Sequence, residues 1–413
     1  MKIVIATAVY SPMINGVAVF SHNLALGLVR RGHEVLVLTP SQTGRNFTEI
    51  QDGVKVCYLR SAETKVYPDQ IHKAEKRFRL FYRHGFRVSV FPQREVAKIL
   101  GDFQPDVVHV QVSDPIGLSV VSYARHHDIP VVTTEHNQPE VLTEPLKVPR
   151  LVKKPIDALF ASYFANRQSK SDFVTMPTKQ AIHNLLEGRR EFKVPVAAVS
   201  NGVDLSEFRP GEASSSAYEK YEVPVDVPIV LYVGRVDPEK NVGAALAAFS
   251  RALERVPEAL MLVVGDGVDL VNLKKQARDL GILAKVKFLG RVTGEDLYEI
   301  YKMGTVFVTA SEIETQGIVL IEAAASGLPL IAVDAGAVSE VCVDNVNGFL
   351  CQPGNISEMA VAMAKILNDT DLRKKFSEKS LELAQEHDFE RTLDKFINIY
   401  KKVVALKREK RTP

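Results

Sequence analysis

The sequence predicts an α/β protein built from two Rossmann-like βαβ domains in tandem. Three observations carry that expectation. Short apolar, β-branched runs alternate with helical stretches, as in KIVIAT, GVAVFSHNLALGLVRRG and EVLVLTP, which is how buried parallel strands and their crossover helices read. The same alternation restarts at PIVLYVGR. The length of 413 residues suits two domains at ~100–200 residues each.

Taken in order, KIVIAT is a first strand: the apolar run is short and ends in a turn, without the long apolar segment and small-residue cleavage site of a leader. The stretch from Gly16 is the first crossover helix, and EVLVLTP the second strand. DVVHV, the helical SVVSYARHHD and PVVTTEH continue the series. The second series runs from PIVLYVGR through a helix over roughly 241–256, ALMLVVGDG, a helix over roughly 268–281, VKFLGRV, TVFVTAS, a helix near 317–326 and PLIAVD. Between the series, VAAVSNGVDLSEFRPGEASSS passes from a strand-like run to Asn-Gly, Pro-Gly and serines, which puts a hinge at about 194–210. The expected domains are residues 1–195 and 196–389. The last helical stretch, at 390–413, is expected to return to the first domain, and a cleft faced by both domains is the expected ligand site.

Composition narrows the function. With 46% hydrophobic and 25% charged residues, the chain is ordinary for a folded enzyme, which excludes disordered, collagen-like and disulfide-scaffold classes. Cys57, Cys342 and Cys351 are too scattered for a C-x2-C metal pair, and their odd number suits a reducing cytoplasm. No run of ~18 apolar residues is present to span a membrane. The net charge of +2 hides an asymmetry: residues 1–200 carry 26 Lys and Arg against 18 Asp and Glu, and residues 201–413 carry 26 against 32. The basic half points to an anionic partner.

The chemistry is densest in SEIETQGIVLIEAAASGLPLIAVDAGAVSEV, after the strand TVFVTA. Glu314 and Glu322 stand eight residues apart across a glycine turn. This spacing places Glu314 in the loop at the strand's carboxyl end and Glu322 about two turns into the next helix. The amides of Gln316, Gly317 and Ile318 crown that helix, where unpaired N–H groups and the macrodipole attract phosphate. A phosphate flanked by hydroxyl-binding carboxylates describes a nucleotide sugar. In VGRVDPEKN, Arg235 and Lys240 follow another strand, and two cations there suit a diphosphate leaving group. In the first domain, Gly16 closes a strand-to-helix loop and allows close backbone approach, and His136 ends a later strand.

These residues resemble the retaining nucleotide-sugar glycosyltransferases of GT-B architecture, the superfamily that includes sucrose synthase and phosphatidylinositol mannosyltransferase. The resemblance rests on the E-x7-E pair Glu314 and Glu322, the G-R-x4-K element Gly234, Arg235 and Lys240, Gly16, His136, and SNGVD at Ser200–Asp204. It implies that His136, Glu314, Arg235 and Lys240 are catalytic. Its donor-binding set is Gly16, Arg235, Lys240, Val292, Glu314, Gln316, Gly317, Ile318 and Glu322. Glu314 would contact the donor sugar, Glu322 the ribose, Arg235 and Lys240 the diphosphate, and Val292 would border the base. Two positions depart from the family pattern: its glycine pair reads Asn15-Gly16, and its E-G-F-G reads Glu314-Thr315-Gln316-Gly317. The implied mechanism is front-face substitution with retention and needs no metal or other cofactor, a UDP-sugar being the co-substrate. Asp369-Thr370-Asp371 forms a D-x-D triplet but opens a helical pattern, so Asp369 reads as an N-cap.

The acceptor is read from the basic half. Over Lys73–Arg87, at ~100° per residue, Lys73, Lys76, Arg77, Arg79, Arg83 and Arg87 fall on one arc and Phe78, Phe81, Tyr82 and Phe86 on the other. A helix of this kind, with Lys76, Arg77, Phe78, Arg79, Phe81 and Arg83 as its contact residues, lies on anionic membranes, and Lys147, Arg150, Lys153 and Lys154 add a second basic cluster. The alternative is a solvated basic face over a core-facing aromatic one. ETQGxxxIEAxASG together with VTMPTKQAIHNLL looks most like bacterial diacylglycerol glucosyltransferases. That likeness implies glucose transfer from UDP-glucose to 1,2-diacylglycerol by a peripheral protein on the inner face of the cell membrane. Phosphatidylinositol or a soluble sugar is the alternative acceptor, and a non-catalytic sugar-nucleotide-binding protein the remaining one. The chain lacks G-x-G-x-x-G after its first strand and any G-x4-G-K-[ST], which argues against dinucleotide oxidoreductases and P-loop enzymes. No stacking motif or zinc ligand set supports a nucleic-acid partner.

Overall fold

The computed structural model describes residues 1–11, 13, 15–63, 87–111, 114–136, 169–186 and 193–409. The chain divides into two compact units, one of residues 1–201 with 390–413 and one of residues 202–389.

The first unit holds strands β1 (Lys2–Ala6), β2 (Glu34–Pro40), β3 (Phe47–Gln51), β4 (Val54–Leu59), β5 (Ser61–Glu63), β6 (Arg87–Ser89), β7 (Val107–Val110), β8 (Val131–Thr134), β9 (Phe173–Met176) and β10 (Val196–Ala198). Eight of them form one sheet in the order β10-β9-β8-β7-β1-β2-β4-β3. The Val- and Ile-rich strands β1, β2 and β7 run parallel, with Ile3 beside both Val35 and Val107, and are buried on both faces. That double burial is why they read as continuous apolar runs. The helix Gly16–Arg30 starts at Asn15, whose side chain accepts from the Ala18 amide at 2.9 Å. Asn15 thus caps the helix at the place where the family pattern has a glycine.

Sequence reading missed the antiparallel pair β3–β4. Asp52 and Gly53 turn it with φ of +47° and +84°, the backbone that a two-residue hairpin demands and that Asp-Gly supplies. Arg87 corrects another expectation. It belongs to strand β6, where its guanidinium donates to the hydroxyl and carbonyl oxygens of Ser61 at 2.9 and 3.0 Å, so Arg87 is not part of the expected basic helix. Lys76, Arg77, Phe78, Arg79, Phe81 and Arg83, and the cluster at Lys147–Lys154, lie outside the described residues.

The C-terminal helix, Phe389–Glu409, joins the first unit. Leu393, Phe396, Ile397, Tyr400 and Val403 recur at helical spacing and pack in one cluster with Ile3, Ile5, Phe20 and Leu24. Arg31 ties its start through Glu390 and Asp394. The apolar stripe holds the helix, because surface ion pairs contribute only about 0–1 kcal/mol each.

The second unit holds β11 (Ile229–Val233), β12 (Leu260–Val264), β13 (Val286–Gly290), β14 (Val306–Val308), β15 (Leu330–Val333) and β16 (Gly348–Cys351), all parallel in the order β13-β12-β11-β14-β15-β16. The order reverses between β11 and β14, so the loops leaving these two strands flank a crevice at their carboxyl ends. Asp369 accepts from the Leu372 amide at 2.9 Å and caps the helix Thr370–Ala384. Among the described residues no helix is long and apolar enough to cross a membrane.

Candidate active site

In the second unit, every donor-site residue expected there sits at the carboxyl edge of the sheet or just beyond it. The loop after β11 carries Arg235 and Lys240. Tyr232 fixes its start by donating to the Arg235 carbonyl at 2.6 Å. This loop is laced to the loop after β12 by hydrogen bonds from the Gly234 amide to Val264 and from the Val236 amide to Asp266. The approach is so close that a Cβ on Gly265 would come within 1.8 Å of the Gly234 oxygen. Gly265-Asp266-Gly267 therefore serves to bring two backbones together.

Across the switch point, the loop after β14 carries Glu314 and leads through Gly317 into the helix Ile318–Ala325. The Glu314 carbonyl accepts from the Ala337 amide at 3.1 Å, which anchors this loop on the one after β15. The Lys240 ammonium donates to Glu314 Oε1 at 2.6 Å, and the two side chains keep only 17% and 15% of their surface exposed. Lys240 and Glu314 are 74 positions apart in sequence, so the ion pair spans the crevice between β11 and β14. Arg235 is half exposed and binds differently, donating to Asp237 and to Glu239 on its own turn. Gln316 is buried, and the first-turn amides of the helix that begins at Ile318 face the carboxyl end of the sheet, where the dipole favours an anion.

Glu322 lies just over one turn into that helix rather than two, because it stands only four positions after Ile318 and a turn takes about 3.6. Its carboxylate accepts from the Tyr301 hydroxyl at 2.7 Å. Burial pushes the Glu322 carboxyl up to about 7, with the Tyr301 hydrogen bond pulling the other way. Tyr301 belongs to the helix Glu295–Met303, and Val292 sits in the loop that joins β13 to that helix. Sequence reading missed Tyr301 and Tyr232, which look like ordinary core aromatics until their hydroxyl partners are seen.

In the first unit the strand order reverses between β1 and β7. Gly16 opens the helix after β1, and His136 follows β8. His136 is buried, lies edge-on to Phe20 with ring centroids 5.4 Å apart, and has Nε2 2.7 Å from Gln111 Oε1. Gln111 follows β7, and the buried His109 precedes it in that strand. Neither had been singled out.

Comparison with known proteins accords with this architecture. Residues 14–207 match Glycosyltransferase Family 4, and residues 216–382 match Glycosyl transferases group 1. A sucrose-phosphate synthase from Thermosynechococcus elongatus superposes with a TM-score of 0.76 at 19% identity, covering 98% of this chain and 99% of that one. Anabaena HepE in complex with UDP-glucose superposes at 0.69 with 19% identity, covering 97% and 100%. The fold and its two matched halves define a two-domain glycosyltransferase of GT-B architecture, and the chain belongs to that family. Within it, the chain is similar to diacylglycerol glucosyltransferases: it is 27% identical to alpha-monoglucosyldiacylglycerol synthase of Streptococcus pneumoniae over 94% of this chain and 83% of that protein. It is also 24% identical to glycogen synthase of Mycobacterium tuberculosis over 100% and 97%.

Proposed function

We propose that the protein transfers glucose from UDP-glucose to the free hydroxyl of 1,2-diacylglycerol, with retention, giving an α-glucosyl-diacylglycerol. The Lys240–Glu314 ion pair at the β11/β14 switch point carries this reading, since it sets a half-buried cation and a carboxylate beside a helix N-terminus. On donor binding, phosphate oxygens replace Glu314 as the partner of Lys240. Glu314 is then released to accept hydrogen bonds from sugar hydroxyls. Arg235 leaves Asp237 and Glu239 for the diphosphate, the amides of Gly317 and Ile318 add to that cradle, and Glu322 takes the ribose hydroxyls.

In the transfer step, the bond from the anomeric carbon to the phosphate oxygen breaks as the bond to the acceptor oxygen forms on the same face. The acceptor proton passes to the departing phosphate. Lys240, Arg235 and the helix dipole stabilise the charge that develops on that phosphate, so no metal is required, and the family resemblance assigns His136 to the transferred sugar. The acceptor reading draws on the likeness to the pneumococcal synthase and on the basic, aromatic segment Lys73–Arg87, which would hold the protein on the anionic inner face of the cell membrane. The full-length match to glycogen synthase supports a soluble glucan as the second reading.

Mass spectrometry of products from mixed UDP- and GDP-sugars, with vesicles holding diacylglycerol beside phosphatidylinositol and with soluble glucan in parallel, separates these readings. Hexosyl-diacylglycerol formed only with UDP-glucose is the expected result. Elongated glucan with no lipid product would overturn the lipid acceptor.

A further inference from the structure

Behind His136 the first unit carries a continuous line of hydrogen bonds through its core. Tyr400, on the C-terminal helix, lies 2.6 Å from His109 Nδ1, and His109 Nε2 lies 2.6 Å from Thr134 Oγ1, which is 2.6 Å from Thr175 Oγ1. The Gln111 amide nitrogen lies 3.3 Å from both ring nitrogens of His109, while its carbonyl oxygen meets His136 Nε2 at 2.7 Å. All of these side chains are buried.

Burial pushes His136 down to about 4, and burial followed by the nearby His136 pushes His109 down to about 3, so each ring carries one proton at neutral pH. The partners decide where it sits. The Gln111 carbonyl only accepts, so His136 holds its proton on Nε2 and leaves Nδ1 as a lone-pair acceptor. The contacts of Tyr400 and Thr134 with the two ring nitrogens of His109 hold that ring in place between them. The Gln111 amide nitrogen faces the His109 ring, which directs its carbonyl oxygen toward His136.

We propose that Gln111 is a positioning residue that holds His136 as the Nε2–H tautomer and aims its accepting Nδ1 at a hydroxyl of the bound substrate, with His109 and Tyr400 locking the Gln111 amide from behind. This rests on the place of His136 in the proposed transfer. A misaimed ring costs roughly 10²-fold in rate, and because Gln111 acts only through His136, the loss must vanish when His136 is absent.

The test is a double-mutant cycle of Gln111→Leu and His136→Ala, measuring kcat and KM for transfer from UDP-glucose, UDP affinity, and the histidine tautomers by long-range ¹H–¹⁵N correlation. The expected result is a large fall in kcat for Gln111→Leu with UDP affinity unchanged, no further fall when it is added to His136→Ala, and loss of the Nε2–H signature of His136. Gln111→Glu, which keeps the accepting oxygen, recovers rate at high pH. Equal losses from Gln111→Leu in both backgrounds, or an Nδ1–H tautomer in the wild type, would overturn the proposal. Wild-type transfer by His136→Ala would instead remove His136 from the reaction, and the tautomer spectrum would still decide whether Gln111 sets that ring.

Discussion

The carboxyl edges of the two sheets are built on one plan and filled with opposite chemistry. Each lies at a reversal of strand order, between β11 and β14 in one unit and between β1 and β7 in the other. The second unit lines its edge with ionisable pairs, Lys240 with Glu314 and Tyr301 with Glu322. The first lines its edge with histidine, glutamine, threonine and tyrosine linked in the neutral state. A charged edge suits a diphosphate whose charge grows during reaction, and a neutral, oriented edge suits sugar and acceptor hydroxyls, which need aim more than charge. The lesson is that one fold can present opposite chemistries through what it places after the same strand ends.

The largest effect expected from breaking this contrast is on rate. Lys240→Ala should lower transfer by roughly 10²–10³-fold with the melting temperature held, and a rate near wild type would take Lys240 out of the charged edge. Next is the support behind the neutral edge. Phe396→Ala, in the core of the C-terminal helix, should cost about 3–5 kcal/mol in urea unfolding, and an unmoved midpoint would mean that the helix does not hold that core.

The two edges should also answer pH with opposite signs. His109 and His136 have folded-state values below that of a free histidine. Their contribution is present above about pH 6.5 and is lost as pH falls toward 4, on the order of a few kcal/mol. His109→Gln should flatten that acid slope, and a slope unchanged by the substitution would assign it elsewhere. Glu322 is raised to about 7, so its neutral form is favoured in the fold and stability declines as pH rises from about 4.5 to 7. Glu322→Gln should remove that decline and stabilise the protein at pH 8 by roughly 1–2 kcal/mol, as measured by urea midpoints at pH 5 and 8. The smallest effect on transfer of soluble substrates is expected from charge reversal at Arg77, Arg79 and Arg83. It should weaken sedimentation with anionic vesicles and leave UDP-sugar affinity intact, and unchanged sedimentation would refute membrane contact by that segment.

The same contrast explains what could be read from the sequence. The charged edge was legible because its residues crowd into two short windows, VGRVDPEKN and SEIETQGIVLIE, each following an obvious strand. The neutral edge was not, beyond Gly16 and His136. His109 and Tyr400 stand 291 positions apart, and each looks like an ordinary core residue in its own segment. The alternation of apolar runs also concealed β3, a polar and exposed edge strand, although Asp52-Gly53 marked its hairpin. The helical pattern also took in Arg87, since periodicity alone does not register that the strand Ser61–Glu63 offers it a partner.

The central claim is that Glu314 holds Lys240 in place of a phosphate until the donor arrives. Calorimetric titration of UDP into the wild type, Glu314→Gln and Lys240→Ala tests it most directly. Glu314→Gln frees the ammonium, so it should bind UDP several-fold more tightly than wild type while losing transfer, and Lys240→Ala should bind more weakly. Weaker UDP binding by Glu314→Gln, or wild-type binding by Lys240→Ala, would contradict the account.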